Sequence, residues 1–211
     1  MKIDYTLYLV TNNKNKTEEE FLKTIEESIK GGVSLVQLRE KNLNDEEFLK
    51  IALKLKKILK KYKIPLIIND NVKIAKKIDA DGVHVGQDDL EAKKAREILG
   101  ENKIIGVSAH NIQEAKKAEE DGADYIGCGT IFKSPTKSDA TILTKKDLID
   151  VVNTVTIPVV YIGGITENNI KKLENTGIKG VSVVSAIMES ENPKLSSEKI
   201  KKEIEKIINI N

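Results

Sequence analysis

The feature of this sequence that most limits its possible folds is an alternation, repeated eight times, of a short β-branched run with a longer amphipathic segment rich in lysine and glutamate. The pattern predicts eight strands, each followed by a segment with helical spacing, over residues 6–10, 34–38, 66–69, 82–85, 104–107, 125–128, 159–162 and 180–184. Such alternation is typical of parallel strands joined by helices. Eight units favour an α/β fold of the closed (β/α)8 TIM-barrel type over an open doubly wound sheet.

Length and composition fit one such barrel, so we predict a single domain over residues 1–211. The 35 basic residues nearly balance the 33 acidic ones, and the lysines are dispersed among glutamates on helical segments, which argues against a nucleic-acid partner. No segment approaches 18 consecutive apolar residues and the first residues lack a signal-peptide pattern. We therefore expect a cytoplasmic protein without a membrane partner, and leave assembly into a homo-oligomer open.

In a barrel of this kind, function collects where strands end and the following loops begin. Gly163 and Gly164 follow the seventh predicted strand, and Ser185 follows the eighth at the start of a short helical segment. Glycines let backbone N–H groups approach a ligand, and a helix start favours an anion, so these positions indicate a phosphate site. The alternative is a tight turn that simply needs glycine.

Two acidic residues, Asp70 and Asp89, follow the adjacent third and fourth strands. Their carboxylates can therefore converge at one mouth of the barrel and share a hard cation such as Mg²⁺, which prefers oxygen ligands. A general acid and base pair would use the same arrangement. A third alternative is that Asp89 or its neighbour Asp88 caps the helix predicted to begin near Leu90.

Cationic and amide side chains alternate after the second strand, at Gln37, Arg39 and Lys41, so all three can project to one side. Arg39, one of only two arginines in the chain, suits bidentate binding of a diphosphate, and Lys41 adds a point charge. Gln37 could read the edge of a heteroaromatic ring. The alternative for the two cations is a surface salt bridge with Glu40 or Glu46.

The loop after the sixth strand, with Ser134, Thr136 and Lys137, supplies two hydroxyls and an ammonium on a connection too long for a simple turn. Loops of this kind often act as lids, although these residue types are also ordinary in loops. His84 lies inside the fourth strand, which favours a buried core histidine over a catalyst, and His110 is expected at the start of a helix. The functional roles of both histidines stay open.

Seven motifs, in this order and spacing, resemble the thiamine-phosphate synthase family over about residues 8–187. They are VQLREK at 36–41, ND at 69–70, GVHVGQDD at 82–89, GVS at 106–108, SPTK at 134–137, IGGI at 162–165 and VSVVS at 181–185. The resemblance implies a Mg²⁺-dependent transferase that joins 4-amino-2-methyl-5-hydroxymethylpyrimidine diphosphate to a methylthiazole bearing a phosphooxyethyl group. Diphosphate would be displaced by the thiazole nitrogen, in a dissociative step that needs little proton chemistry.

The resemblance also implies a role for individual residues. It assigns the pyrimidine diphosphate to Gln37, Arg39, Lys41, Asn69, Ser108 and Lys137, of which Arg39, Lys41, Ser108 and Lys137 would be catalytic. It assigns the thiazole phosphate to Ser134, Thr136, Gly164, Val184 and Ser185, and the metal to Asp70 and Asp89. Position 134 is often threonine in the family, but Ser134 keeps the hydroxyl.

Two other functions fit the same barrel. The related thiazole tautomerase handles only the thiazole phosphate; by the resemblance it carries a histidine near the position of Thr130 and lacks donors such as Arg39 and Lys41. A non-catalytic barrel that binds thiazole or thiamine phosphate and regulates a partner is the second. The intact Asp70 and Asp89 argue against it, as does Lys137.

Overall fold

The computed structural model describes residues 3–133 and 142–208, and eight parallel strands within them close into one barrel. The strands pair in sequence order, and β1 pairs with β8 in the register Tyr8 to Ser182. This confirms the predicted (β/α)8 fold. The strands are β1 Leu7–Val10, β2 Leu35–Leu38, β3 Leu66–Asn69, β4 Gly82–Val85, β5 Ile104–Ala109, β6 Tyr125–Cys128, β7 Val159–Ile162 and β8 Gly180–Val183.

Helices surround the barrel on the outside. They are α1 Glu18–Lys30, α2 Asp45–Tyr62, α3 Val72–Lys77, α4 Ala92–Leu99, α5 Ile112–Glu120, α6 Lys145–Thr154, α7 Ser185–Met188 and α8 Pro193–Ile208. The connection after β7 differs from the expected pattern, because its helical segment is a single 3-10 turn over Ile170–Leu173. Positive φ angles at Gly164, Asn175 and Gly177 are incompatible with an α-helix and confine the regular segment between them.

Helix α1 shows why these segments become outer helices. The Thr17 hydroxyl accepts a hydrogen bond from the Glu20 backbone N–H, and the Glu20 carboxylate accepts from the Thr17 backbone, which forms a capping box. Phe21, Ile25 and Ile29 then recur at helical spacing and are buried. The helix consequently packs its apolar stripe against the strands and leaves its lysines and glutamates outside.

The barrel has two apolar layers. The larger lies between strands and helices, and a smaller one fills the interior with Tyr5, Tyr8, Leu35, Tyr125 and other side chains. The single cysteine, Cys128, is buried in the outer layer, and burial raises the pKa of its thiol to about 12. Across the described part of the chain, no helix combines the length and apolar character that crossing a membrane requires.

Arg96 joins several turns at the amino-terminal ends of the strands. Its guanidinium donates to the carbonyl oxygens of Lys103 and Gly122, and to the carboxylate of Asp124 at 2.7 Å. The same Asp124 oxygen accepts the Ile105 backbone N–H at 2.7 Å. This arginine therefore satisfies turn carbonyls on the face opposite to the one where the loops following the strands gather.

Candidate active site

A cavity of about 360 Å³ opens at the carboxyl ends of the strands and is lined by residues of all eight strands or the loops that follow them. It brings together every described residue to which the sequence assigned a role. These residues are Gln37, Arg39, Lys41, Asn69, Asp70, Asp89, Ser108, Gly163, Gly164, Val184 and Ser185. Three further predicted residues, Ser134, Thr136 and Lys137, lie outside the described residues.

The two strand-end carboxylates, Asp70 and Asp89, lie within hydrogen-bonding reach of each other. Burial raises the pKa of Asp70 to about 6, the hydrogen bond and charge of Asp89 add to the rise, and the positive charges of Lys41 and Arg39 oppose it. Asp89 is held in turn, because its Oδ2 accepts the Gly86 backbone N–H at 2.7 Å. The pair concentrates negative charge in a partly buried place, and a proton or a cation can relieve that repulsion.

The helix-cap alternative for Asp89 or Asp88 is wrong. Helix α4 begins at Ala92 and Glu91 occupies its N-cap position, so neither Asp88 nor Asp89 caps it. The chain continues for two residues beyond Asp89 before the helix starts, which leaves the Asp89 carboxylate at the cavity wall. The acid and base alternative uses the same geometry and stays open.

The cationic row after β2 projects as the alternation predicted. Arg39 and Lys41 line the cavity, whereas Leu38 is fully buried in the outer apolar layer and Glu40 contacts Thr11. The Thr11 hydroxyl oxygen also accepts the Arg39 backbone N–H at 3.0 Å. Thr11 therefore ties the end of β1 to the start of this row.

The salt-bridge alternative for Arg39 and Lys41 does not match the structure. Glu46 pairs instead with Lys50 at 2.9 Å on the exposed surface of α2. Within residues 3–133 and 142–208, neither Arg39 nor Lys41 forms a side-chain ion pair. Both charges therefore face the cavity, where they act to lower the pKa of the Asp70 carboxyl group.

A hydrogen-bonded chain crosses the floor of the cavity. The Gln37 Nε2 donates to the Tyr8 hydroxyl at 2.6 Å, which lies 2.8 Å from the Tyr125 hydroxyl. The Tyr125 hydroxyl lies 2.9 Å from His84 Nδ1, and His84 Nε2 lies 2.9 Å from Ser108 Oγ. The expectation of a buried histidine with satisfied ring nitrogens is confirmed, since His84 is 8% exposed. The ring nevertheless also lines the cavity.

Tyr8 and Tyr125 line the cavity although no sequence motif predicted them, and two strand glycines are the sequence feature that indicates them. A Cβ at Gly106 would lie 2.1 Å from the Tyr125 ring, and a Cβ at Gly127 would lie 2.9 Å from the His84 ring. Strand glycines of this kind mark places where a large side chain crosses close to the backbone. Their position on neighbouring strands β5 and β6 could have indicated a ring lying across the interior.

The opposite side of the cavity is formed by the turn after β7 and the start of α7. Gly163 and Gly164 have φ angles of +109° and +62°, and a Cβ at Gly164 would lie 2.6 Å from the Phe132 carbonyl oxygen. The turn therefore requires glycine for its own conformation, as the alternative proposed. The same turn lines the cavity beside Val184 and Ser185, so the requirement for glycine is compatible with a phosphate site.

His110 lies at the start of α5, as expected from the sequence. Its Nδ1 lies 2.9 Å from the Glu114 carboxylate, and its backbone N–H donates to the same carboxylate at 2.8 Å. The N-cap itself is Asn111, whose side-chain oxygen accepts the Glu114 N–H. These contacts give His110 a local structural role at the edge of the cavity.

Comparison with known proteins identifies the family. A family model described as thiamine monophosphate synthase matches residues 7–187. A thiamine-phosphate synthase of Methanobrevibacter smithii is 59% identical over 201 residues, covering 95% of this chain and 96% of that relative. One from Clostridium acetobutylicum is 54% identical, covering 94% and 91% of the two chains.

Solved structures agree with this relationship. The thiamine phosphate pyrophosphorylase from Pyrococcus furiosus superposes with a TM-score of 0.89 at 34% identity, covering 97% of this chain and 98% of that one. A 3-hexulose-6-phosphate synthase, at 17% identity and a TM-score of 0.73 over 94% and 99% of the two chains, shares the fold alone. The chain therefore belongs to the thiamine monophosphate synthase family and is an enzyme of the transferase class.

Proposed function

We propose that this chain is a thiamine-phosphate synthase that joins hydroxymethylpyrimidine diphosphate to the thiazole phosphate and releases diphosphate. One observation carries the proposal. A single cavity holds a row of cations and a carboxylate pair on one side, and a glycine turn with a helix start on the other. Such a cavity has places for a diphosphate and for a separate phosphate monoester. The names of the close relatives support the substrates.

We also propose Mg²⁺ as the cofactor, held by Asp70 and Asp89. The donor set fits, because both groups offer carboxylate oxygens, and burial together with the neighbouring Asp89 already raises the pKa of Asp70. The described residues contain no cluster of three or more histidine, cysteine, aspartate or glutamate side chains suited to a metal. Two protein carboxylates suit Mg²⁺, which usually keeps waters and binds substrate phosphates as well. When bound, the ion would neutralise charge on the departing diphosphate.

The residues of the chain then act mainly by alignment and by stabilising the leaving group. Arg39 and Lys41 bind the diphosphate, and Gln37 and Ser108 hold the pyrimidine ring between them. Asn69 donates from Nδ2 to an Asp70 carboxylate oxygen, so it orients that carboxylate as well as facing the substrate. Lys137, which the family resemblance assigns to the diphosphate, would add a further positive charge.

The thiazole phosphate occupies the other side, where Gly164, Val184 and Ser185 bind its monoester. The family resemblance assigns the hydroxyls of Ser134 and Thr136 to the same substrate. The bond from the pyrimidine methylene carbon to the diphosphate oxygen breaks, and its electron pair leaves with the diphosphate. The methylene cation that results is stabilised by the aminopyrimidine, and the lone pair of the thiazole nitrogen forms the new C–N bond. No proton has to be removed from either substrate, which agrees with a cavity that relies on charge and position.

The test is to mix the purified full-length protein with both substrates and Mg²⁺ and to follow thiamine phosphate and diphosphate by chromatography. We expect equal amounts of the two products, and none when the metal is chelated. Absence of product from a protein that still binds the thiazole phosphate would contradict the proposal. Turnover that persists without any divalent metal would contradict the assignment of Mg²⁺.

The variant Asp70→Ala separates the metal from the rest of the site. We expect it to lose metal-dependent turnover and to keep thiazole-phosphate binding, measured by calorimetry, close to that of the wild type. Asp121→Ala is the control, because Asp121 pairs with Lys117 at the end of α5, on the face away from the cavity. If the Asp70 variant turns over normally, Asp70 is not a ligand of an essential metal.

A further inference from the structure

The hydrogen bonds below the cavity have a direction, and the amide of Gln37 sets it. Gln37 Nε2 donates to the Tyr8 hydroxyl, so Tyr8 uses its own hydrogen to donate to Tyr125. Tyr125 in turn donates to His84 Nδ1, which must then be the ring nitrogen without a hydrogen. His84 consequently carries its hydrogen on Nε2 and donates it to Ser108 Oγ. The Ser108 hydroxyl is left with its own hydrogen for an acceptor in the cavity.

Donation in the opposite direction, from His84 towards Tyr8, would leave the buried Tyr8 hydroxyl hydrogen without an acceptor. If His84 carried its hydrogen on Nδ1, Tyr125 would accept it and would donate to Tyr8. Tyr8 would then accept from both Tyr125 and Gln37, and its own hydrogen would need a third partner. Tyr8 is 2% exposed, and the described part of the chain provides no third partner for its hydroxyl. An unsatisfied buried donor is costly, so the first direction is favoured.

Tyr125 is the central member of this series of hydrogen bonds, and the fold immobilises its side chain. Its ring is fully buried, packs edge-on against Tyr8 at 5.9 Å between centroids and lies 5.5 Å from the His84 ring. Gly106 leaves the space that the Tyr125 ring occupies. Burial raises the pKa of Tyr125 well above its ordinary value, so its hydroxyl keeps its hydrogen.

We propose that Tyr125 is a positioning residue that fixes His84 in its Nε2–H tautomer and thereby presents the Ser108 hydroxyl to the cavity as a hydrogen-bond donor. At the other end of this hydrogen-bonded series, Gln37 donates one N–H to Tyr8 and keeps its carbonyl oxygen, an acceptor, together with its second N–H. The Ser108 end therefore offers the cavity a donor, and the Gln37 end offers it an acceptor.

This pattern selects a flat ring that carries an acceptor on one edge and a donor on the opposite edge. An aminopyrimidine does so, because one ring nitrogen lies across the ring from the carbon that bears the amino group. This reading of specificity rests on the proposed function. A ring with the same shape and an oxo group in place of the amino group would face the Gln37 carbonyl oxygen with an acceptor, and should be rejected.

The tautomer can be measured without substrate. The chain has two histidines, His84 and His110, so full-length protein labelled with ¹⁵N-histidine shows two imidazole rings by NMR. His110→Asn removes one ring and assigns the other. At mildly alkaline pH we expect the hydrogen of His84 on Nε2. A hydrogen on Nδ1 would overturn the proposal, whether or not the protein forms thiamine phosphate.

The variant Tyr125→Phe removes the hydroxyl that links Tyr8 to His84 by hydrogen bonds. We expect His84 to become a mixture of tautomers and the KM for the pyrimidine diphosphate to rise about tenfold, the usual effect of one lost directed hydrogen bond. The KM for the thiazole phosphate should stay unchanged. An unchanged pyrimidine KM, or an equal rise for both substrates, would overturn the role of Tyr125.

Tyr161→Phe is the matched control. Tyr161 is also fully buried, lies on β7 and places its hydroxyl 3.4 Å from the Thr176 carbonyl oxygen, outside the cavity lining. It should keep the wild-type tautomer and both KM values. If Tyr125→Phe fails to fold, Tyr8→Phe interrupts the same series of hydrogen bonds one step earlier. His84 should then also become a mixture of tautomers. A fixed Nε2–H tautomer in a folded Tyr8→Phe protein would contradict the proposal.

Discussion

At the scale of single residues, neighbours in the sequence can have very different surroundings. Arg39 lines the cavity, whereas one carboxyl oxygen of Glu40, Oε1, is buried without a hydrogen-bond partner among the described residues. Burial raises the pKa of Glu40 from 4.5 to about 7, against the opposing charge of Arg39 and hydrogen bonds with Thr11 and Asn13. Ionisation of the Glu40 carboxyl group therefore destabilises the folded protein.

The raised pKa of Glu40 should be visible in the pH dependence of the protein's stability. Its native pKa lies above the unfolded value, so the native state binds more protons between pH 4.5 and about 7. The free energy of unfolding should therefore fall as pH rises through this window. Glu40→Gln cannot titrate, and we expect urea denaturation at several pH values to show a shallower fall. Asp70, whose pKa is also raised, contributes the same sign in both proteins.

Glu46→Gln is the control for this measurement. The side chain of Glu46 is 78% exposed and pairs with Lys50 on the outer surface of α2. Its removal changes the net charge by the same amount without touching a buried carboxyl. If the Glu40 and Glu46 variants show the same pH slope as the wild type, burial of Glu40 does not influence stability.

At the scale of secondary structure elements, the adjacent strands β5 and β6 contribute Ser108 and Tyr125 to the floor of the site. Strand β5 extends two residues beyond its predicted end, to Ala109, so Ser108 lies in a strand rather than in a loop. Gly106 pairs with Tyr125 in the register of the two strands, and Ser108 pairs with Gly127. A small residue on one strand therefore stands beside a functional side chain on the next.

A methyl group at Gly106 should disturb this arrangement more than one at Gly127. The added Cβ would lie 2.1 Å from the Tyr125 ring in the first case and 2.9 Å from the edge of the His84 ring in the second. We expect Gly106→Ala to lower the free energy of unfolding by about 1–3 kcal/mol and Gly127→Ala by less, as overpacking usually does. Denaturant titration measures both, and the reverse order would contradict the packing argument.

At the scale of the whole molecule, the two ends of the barrel have different tasks. The carboxyl ends of the strands carry the cavity, and the amino-terminal ends carry contacts that hold the turns. The two arginines of the chain divide in the same way, since Arg39 faces the cavity and Arg96 binds turn carbonyls and Asp124. This division is general in (β/α)8 barrels.

Arg96→Met should therefore reduce stability without changing substrate affinity. The variant removes the Arg96 donor from the turn carbonyls and from Asp124, which keeps the Ile105 backbone N–H, and we expect a loss of about 1–3 kcal/mol in the free energy of unfolding. The KM values for both substrates should match the wild type. Lys117→Met is the control, because its pair with Asp121 is exposed and should contribute less than about 1 kcal/mol. A changed KM in the Arg96 variant would contradict the division.

The sequence by itself determined the barrel and most of the residues at its mouth. All eight strands lie within two residues of the predicted limits, because β-branched runs and helical spacing are local patterns that the chain carries wherever it folds. The motifs at the strand ends converge because parallel strands must end on one side. The sequence could not exclude helix capping by Asp89, since a shift of two residues in a helix start decides it.

Only the tertiary structure decided which buried groups meet inside the barrel. Tyr8 and Tyr125 lie 117 positions apart in the chain, yet their hydroxyls lie 2.8 Å apart. The contact depends on closure of the sheet, on the register of the strands and on the space that Gly106 leaves. The raised pKa of Asp70 likewise depends on how deeply it is buried and on its distance from Asp89. These properties arise from packing between distant segments, which no local pattern in a sequence encodes.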